Sequence, residues 1–287
     1  MRLRLDLAYD GGGFHGWATQ PSLRTVQGVL EGALATVLRA PVTVTCAGRT
    51  DTGVHARGQV VHFDLAAGDL VGAAGRAGKD PLGGLVTRLN GLLDSDVHVD
   101  RVVEVPEDFD ARFGALWRRY AYRLADRPDV VDPLTRSHVV TWRRPLDDAA
   151  CQEATSGLVG EHDFAAYCKR REGATTVRRL LDLRWTRTDR GVVEVGVRAD
   201  AFCHHMVRSL VGALVAVGEG RRPSSWPAAV LAAGQRDPAV LVMPAHGLTL
   251  EEVAYPPDDQ LAHRARETRT VRGLDKPDLP ESSLSDG

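Results

Sequence analysis

Polar and apolar residues alternate from position 2 to 9, with Leu3, Leu5, Leu7 and Tyr9 on one side. A period of two predicts a strand with one buried face. At position 25 the period changes. Val26, Val29, Leu30, Ala33, Leu34, Val37 and Leu38 recur at helical spacing, with Ser22 or Thr25 placed to cap a helix and Pro41 beyond its end. Positions 42–46 and 59–64 are rich in β-branched residues and read as two strands holding a polar loop. Residues 66–84 are rich in Gly and Ala and read as a long loop, followed by a short helix over 85–93. Strand signals return at 97–99, 102–105 and 118–124, where Tyr120 and Tyr122 share a face. Helices are predicted over 146–158, begun by Asp147 or Asp148, over 206–217 and over 226–234. The stretch 206–217 is almost continuously apolar, as in a helix buried on most sides. An alternating strand at 192–198 precedes it, and 253–256 reads as a closing strand. Residues 106–108 separate two halves, 1–107 and 108–257. Positions 258–287 show neither period and read as a disordered tail.

The length of 287 residues suits two domains, and contents of 43% apolar and 26% charged residues are those of a globular chain. No run of eighteen apolar residues occurs, so no membrane-spanning helix is predicted. No apolar leader opens the sequence, so the expected compartment is the cytoplasm. Cysteines 46, 151, 168 and 203 form no C-x-x-C pair and read as isolated thiols. Cys203, His204 and His205 stand in a row, but adjacent side chains point apart and seldom share a metal, so no metal site is predicted. A net charge of −2 does not announce a nucleic-acid binder. Binding a polyanion then needs local patches, for which Arg118-Arg119 with Arg123, Lys169-Arg170-Arg171, Arg178-Arg179 and Arg221-Arg222 are candidates. Only three of the 36 cations are Lys; arginine suits bidentate phosphate contacts, although a GC-rich genome gives the same bias.

Two glycine-rich stretches invite chemistry. Gly11 to Gly16 satisfies G-x-G-x-x-G after a strand, the dinucleotide-binding pattern. No helix opens at Gly16, Pro21 blocks an unbroken one, and the downstream acid, Glu31, lies inside a helix, so the dinucleotide reading fails on context. The second stretch, AGRTDTGVHA at 47–56, packs an acid, a guanidinium and two hydroxyls around Gly48 and Gly53. Asp51 is its chemical centre: Arg49 beside it would keep it ionised, and Thr50 and Thr52 would orient it. The same residues also suit an Asx turn at a hairpin. Arg208 opens an apolar helix and needs an anion or a route to water; Asp51 is the anion predicted for it. His204 and His205 suit general bases or hydrogen-bonded core histidines. Tyr120 suits a cross-strand pair, or a ring stacking on a base beside cations.

The decapeptide at 47–56 resembles the GRTD-GVHA signature of the TruA family of tRNA pseudouridine synthases. Other stretches resemble family boxes in the family's order: YDGGGFHGW at 9–17, LNGLL at 89–93, RRYAY at 118–122, GEHDF at 160–164, AFCHHMVR at 201–208 and MPAHGLTL at 243–250. Departures are Ala18 where Gln is common, Cys203 in place of Leu and Thr249 in place of Tyr.

The resemblance, over residues 1–257, implies an α+β fold of two halves. Each half has an antiparallel or mixed sheet with helices on one face, and the halves meet at a basic active-site cleft. It implies isomerisation of uridine to pseudouridine in the anticodon stem-loop of tRNA, at positions 38–40, by a homodimer. The N1–C1′ bond breaks, the base turns, and C5 joins C1′. The base is retained, so no cofactor, nucleotide or metal is required. Asp51 is implied as the catalytic residue, either a nucleophile at C1′ or a base toward a sugar proton. Arg49, Arg208 and Tyr120 are implied to support it, and Tyr120, Arg49, His55, Arg118, Arg119 and His205 to bind a flipped-out uridine and its RNA. Two alternatives belong to other classes. A non-catalytic RNA-binding protein could use the same fold, and a carboxylate glycosidase would need paired carboxylates where only Asp51 stands out.

Overall fold

A computed structural model describes residues 1–66, 70, 80–169 and 175–269. β1 (Arg2–Tyr9) buries Leu3, Leu5, Leu7 and Tyr9, as the alternation requires. β2 is only Thr45–Cys46, shorter than its β-branched run, and pairs with β3 (His55–Asp64). β1 lies antiparallel between β3 and β4 (Val97–Val105).

The second half contributes β5 (Trp117–Ala125), β6 (Val140–Thr141), β7 (Gly160–Asp163), β8 (Val177–Arg187), β9 (Val193–Ala199) and β10 (Leu248–Ala254). β5, β9, β8 and β7 pair antiparallel in that order, and β6 runs parallel to the end of β5. β10 pairs antiparallel with β5 and parallel with β3. The two sheets predicted for the halves are thus one ten-stranded mixed sheet, ordered β4-β1-β3-β10-β5-β9-β8-β7. The join is short, with Thr249 opposite His55 and Leu250 opposite Ala56. Gly58 permits it: a Cβ at that position would stand 2.4 Å from the Glu251 carbonyl oxygen. No period along the chain reports such a join, because its partners are almost 200 residues apart.

α1 (Val26–Leu38) starts where Thr25 accepts a hydrogen bond from the Gly28 N–H. α2 (Pro81–Leu92) starts earlier than its apolar period, because Asp80 caps it and Pro81 suits a first turn. The rest of the Gly/Ala-rich stretch, 67–69 and 71–79, lies outside the described residues. α2 packs on β4 and α1. α3 (Asp148–Thr155), α4 (Met206–Gly218) and α5 (Trp226–Ala233) pack on one another, with α3 against β8 and α4 against β5. Every residue of α4 except Arg208 is buried. Among the described residues no helix is long and apolar enough to cross a membrane.

The predicted tail needs correction. Residues 258–260 form a 3-10 turn, and α6 (Leu261–Arg269) follows. Leu261 and Ala265 are buried, and the Arg264 guanidinium donates to the Ala115 carbonyl. Two apolar residues four apart dock this helix but are too few to register as a period. Residues 270–287 lie outside the described residues.

Candidate active site

A cavity of about 1050 Å³ opens where the two halves meet. One wall is the loop between β2 and β3, with Asp51 at its tip; the other is the chain from Asp200 to Arg208. The first wall is held from behind. The Trp17 N–H donates to the Thr50 carbonyl at 3.0 Å, and the Thr50 hydroxyl meets the Tyr9 hydroxyl at 2.8 Å. The Gln59 amide donates to the Gly48 carbonyl at 2.7 Å and to the Tyr9 oxygen at 3.3 Å. Gly16, with φ +88°, lies against this loop; a Cβ there would stand 3.1 Å from the Thr50 carbonyl oxygen. The G-x-G-x-x-G turn therefore supports the Asp51 loop.

The Val54 N–H donates to the Asp51 carbonyl, closing the turn with backbone alone. The carboxylate faces the opposite wall, which disfavours the Asx-turn reading. Its Oδ1 lies 3.3 Å from His204 Nε2, and its Oδ2 lies 3.8 Å from both His205 Nε2 and Arg208 Nη1.

His205 precedes α4 with a left-handed φ of 70°. That turn brings the imidazoles of His204 and His205 to 4.0 Å between ring centroids, although neighbouring side chains ordinarily diverge. Asp51, His204 and His205 each present a ligand atom, all within 4.8 Å of one another, a spacing one metal ion can bridge. Both histidines are partly exposed, so they are not core histidines. Burial, and then the neighbouring His204, hold the His205 pKa below the ordinary imidazole value. Arg208 donates from Nε to the Met243 carbonyl at 2.6 Å and turns Nη1 toward Asp51. The 3.8 Å separation is ion-pair range, beyond a hydrogen bond. Burial lowers the Arg208 pKa, and Asp51 opposes that shift.

The other candidates divide. Arg49 lies exposed on the cavity rim and makes no ion pair or hydrogen bond among the described residues, so the cation at the carboxylate is Arg208. Tyr120 lines the cavity, with its ring edge-to-face on Phe202 at 5.0 Å. Burial, and then Asp51, raise its phenol pKa. Arg118 also lines the cavity, but it is buried and donates to the carbonyls of Ala47 at 2.8 Å, Asp200 at 2.6 Å and Arg112 at 2.5 Å. Its donors brace both walls and are not presented to phosphate. Arg119 points the other way from β5, as neighbours on a strand must, and pairs with Glu252 at 3.2 Å off the cavity. His55 is also off the lining. Its Nδ1 accepts from the Gly11 N–H at 3.0 Å, which leaves Nε2 to donate to the His246 carbonyl at 3.1 Å.

Three arginines of the charged patches pair with acids: Arg119 with Glu252, Arg123 with Glu194 and Glu251, and Arg221 with Glu219. Arg170 and Arg171 lie outside the described residues. The basic character of the cavity comes instead from single arginines. Arg49, Arg112, Arg118, Arg178, Arg208 and Arg264 line it, against Asp51 and Asp200. Arg112, Arg264 and Phe202 are lining residues that sequence reading did not select. Arg264 was hidden because α6 carries so weak a period.

The cysteines also depart from their reading as isolated thiols. Cys168 and Cys203 are joined, with 5.8 Å between their Cα atoms. Cys46 and Cys151 are free and buried, and burial pushes both thiols up to about 12.

A family model described as tRNA pseudouridine synthase matches residues 154–256. The chain is 59% identical to the tRNA pseudouridine synthase A of Streptomyces griseus over 277 residues, covering 96% of this chain and 95% of that protein. It is 60% identical to that of Frankia casuarinae over 273 residues, 95% of this chain and 96% of that one. With that of Mycobacterium leprae it shares 47% over 275 residues, again 95% and 96%. At such identity over nearly the full length of both partners, the chain belongs to the tRNA pseudouridine synthase A family.

Proposed function

We propose that the chain isomerises uridine to pseudouridine in tRNA and that Asp51 is its catalytic residue. The observation that carries this reading is the direction of the Asp51 carboxylate. A buried network fixes its loop, yet the carboxylate faces an open cavity and an arginine and two imidazoles from the other half.

An ionised carboxylate held there serves as a nucleophile at C1′ or as a base toward a sugar proton. Arg208 faces it at 3.8 Å. Tyr120 and Phe202 offer aromatic surface against a uridine flipped out of its stack, and the exposed arginines of the rim meet the flanking phosphates. The family resemblance adds the anticodon stem-loop at positions 38–40, a homodimer and the cytoplasm to this proposal.

The test is release of tritium from tRNA labelled at C5 of uridine, since C5 loses its hydrogen only when it bonds to C1′. The expected result is release by the wild type, dependent on tRNA, and release slower by about 10³-fold or more by Asp51→Asn. Release by Asp51→Asn at the wild-type rate would overturn the assignment.

A further inference from the structure

Two cysteines that this chemistry does not use stand in the wall of the site. Cys203 lines the cavity and directly precedes His204, the imidazole nearest Asp51. Cys168 is buried behind it, and the 5.8 Å between their Cα atoms is a span that a disulfide bridges without backbone movement. One further contact joins the two segments, the Lys169 N–H donating to the His204 carbonyl at 2.9 Å. We propose that Cys168 and Cys203 form a thiol–disulfide modification site that sets how firmly His204 is held against Asp51. The proposal rests on Asp51 as the reacting group.

The oxidant it fits is a small-molecule disulfide entering from the cavity. The Cys203 thiolate attacks one sulfur of that disulfide, forms a mixed disulfide and expels one small thiolate. The Cys168 thiolate then attacks the Cys203 sulfur, closes the protein bridge and expels the second small thiolate. Two protein thiols are oxidised and one small disulfide is reduced to two thiols; the two protons lost by the protein pass to the leaving thiolates. Cys203 is the entry point because it borders the cavity, whereas Cys168 is covered. Cys46 and Cys151 do not compete, being buried thiols of high pKa.

In the bridged form a covalent link lies beside the Lys169–His204 hydrogen bond. In the reduced form that hydrogen bond still joins the two segments, but no covalent link does. The bridge also ties positions 35 apart, which restricts the unfolded chain. Bridging therefore preorganises His204 and raises thermal stability.

The experiment equilibrates the full-length protein with oxidised glutathione or with dithiothreitol. It reads bridge formation by peptide mass, Tm by calorimetry, and kcat/KM by tritium release. Relative to the oxidised wild type, the reduced enzyme is expected to lose about three- to tenfold in kcat/KM and several degrees in Tm. Cys168→Ser and Cys203→Ser are each expected to show the reduced values under both conditions. Equal activity in both forms, a faster reduced enzyme, or a redox response that survives in Cys203→Ser would overturn the proposal. Failure of the underlying function looks different: no form releases tritium, while bridge and Tm shift are still scored by mass and calorimetry.

Discussion

The two walls of the cavity hold their polar groups by different means. The wall at 47–54 is wired by short hydrogen bonds behind the loop, through Tyr9, Trp17, Thr50 and Gln59. The wall at 200–208 meets the carboxylate only through contacts of 3.3 to 3.8 Å. Position is thus supplied by one half of the chain and charge by the other. Two arginines repeat the contrast. Arg118 donates to three backbone carbonyls and braces the walls, whereas Arg208 donates to one and turns its remaining charge toward Asp51. Proximity to the cavity therefore does not make an arginine a ligand for substrate; the number of donors it has left does.

The largest effect expected is that of Asp51→Asn, which keeps the wired loop and removes the charge. Turnover should fall by about 10³-fold or more, with Tm and tRNA affinity near wild type. A collapse of Tm would mean that the carboxylate also holds the wall together. Leu261→Ala tests the reverse case, a residue that acts through packing and not through charge. Leu261 is 1% exposed, so truncation should cost about 2–4 kcal/mol in chemical denaturation while kcat changes little. An unchanged midpoint would show that α6 is not docked.

Arg208→Met removes charge from the second wall at similar volume. A loss of about 10- to 100-fold in kcat is expected, and in a double-mutant cycle with Asp51→Asn the two losses should be less than additive. Additive losses would dissolve the pairing. Tyr9→Phe removes one hydroxyl from the first wall and leaves Thr50 without its partner. It should cost about 1–2 kcal/mol of stability and act on kcat less than Arg208→Met does. Greater damage to kcat from Tyr9→Phe would reverse the division between position and charge.

The smallest effect concerns pH. His62, in β3, accepts from the Ala111 N–H through Nδ1, and burial, then Arg2, hold its pKa below the ordinary value. His205, on the 200–208 wall of the cavity, is depressed as well. An unfolded imidazole titrates near about 6.5, so below that pH the unfolded state binds more protons than the native one. Stability should therefore decline as pH falls from 7 to 5, by a few degrees in Tm, and His62→Gln should flatten the decline. An identical slope in the variant would place the responsible histidine elsewhere.

Much of the local structure was legible from order alone. The alternation of β1, the 3.6-residue period of α1 with its Thr25 cap, and the apolar run of α4 are short-range signals, each visible within about a dozen residues. Asp51 was legible as a candidate from its place between two hydroxyls in a loop between strands, but the same residues suit an Asx turn, and it was the resemblance of the decapeptide to the TruA signature that favoured chemistry. What escaped depends on residues far apart in the chain or on one backbone angle. The β3–β10 junction, the commitment of Arg118 to carbonyls, and the pairing of Cys168 with Cys203 each need partners dozens to almost 200 residues away. The convergence of His204 and His205 needs one residue in a left-handed conformation that no side-chain period announces. The sequence by itself determined several of the longer strands and helices, β1, β3, β5, α1 and α4 among them, and which acid stands in the loop before β3. Only the tertiary structure decided that Arg49 stays on the rim while Arg208, the cation named for that acid from the sequence, is joined there by His204 and His205, because a side chain's direction follows from the backbone path of its own segment, while its partner follows from the packing of another.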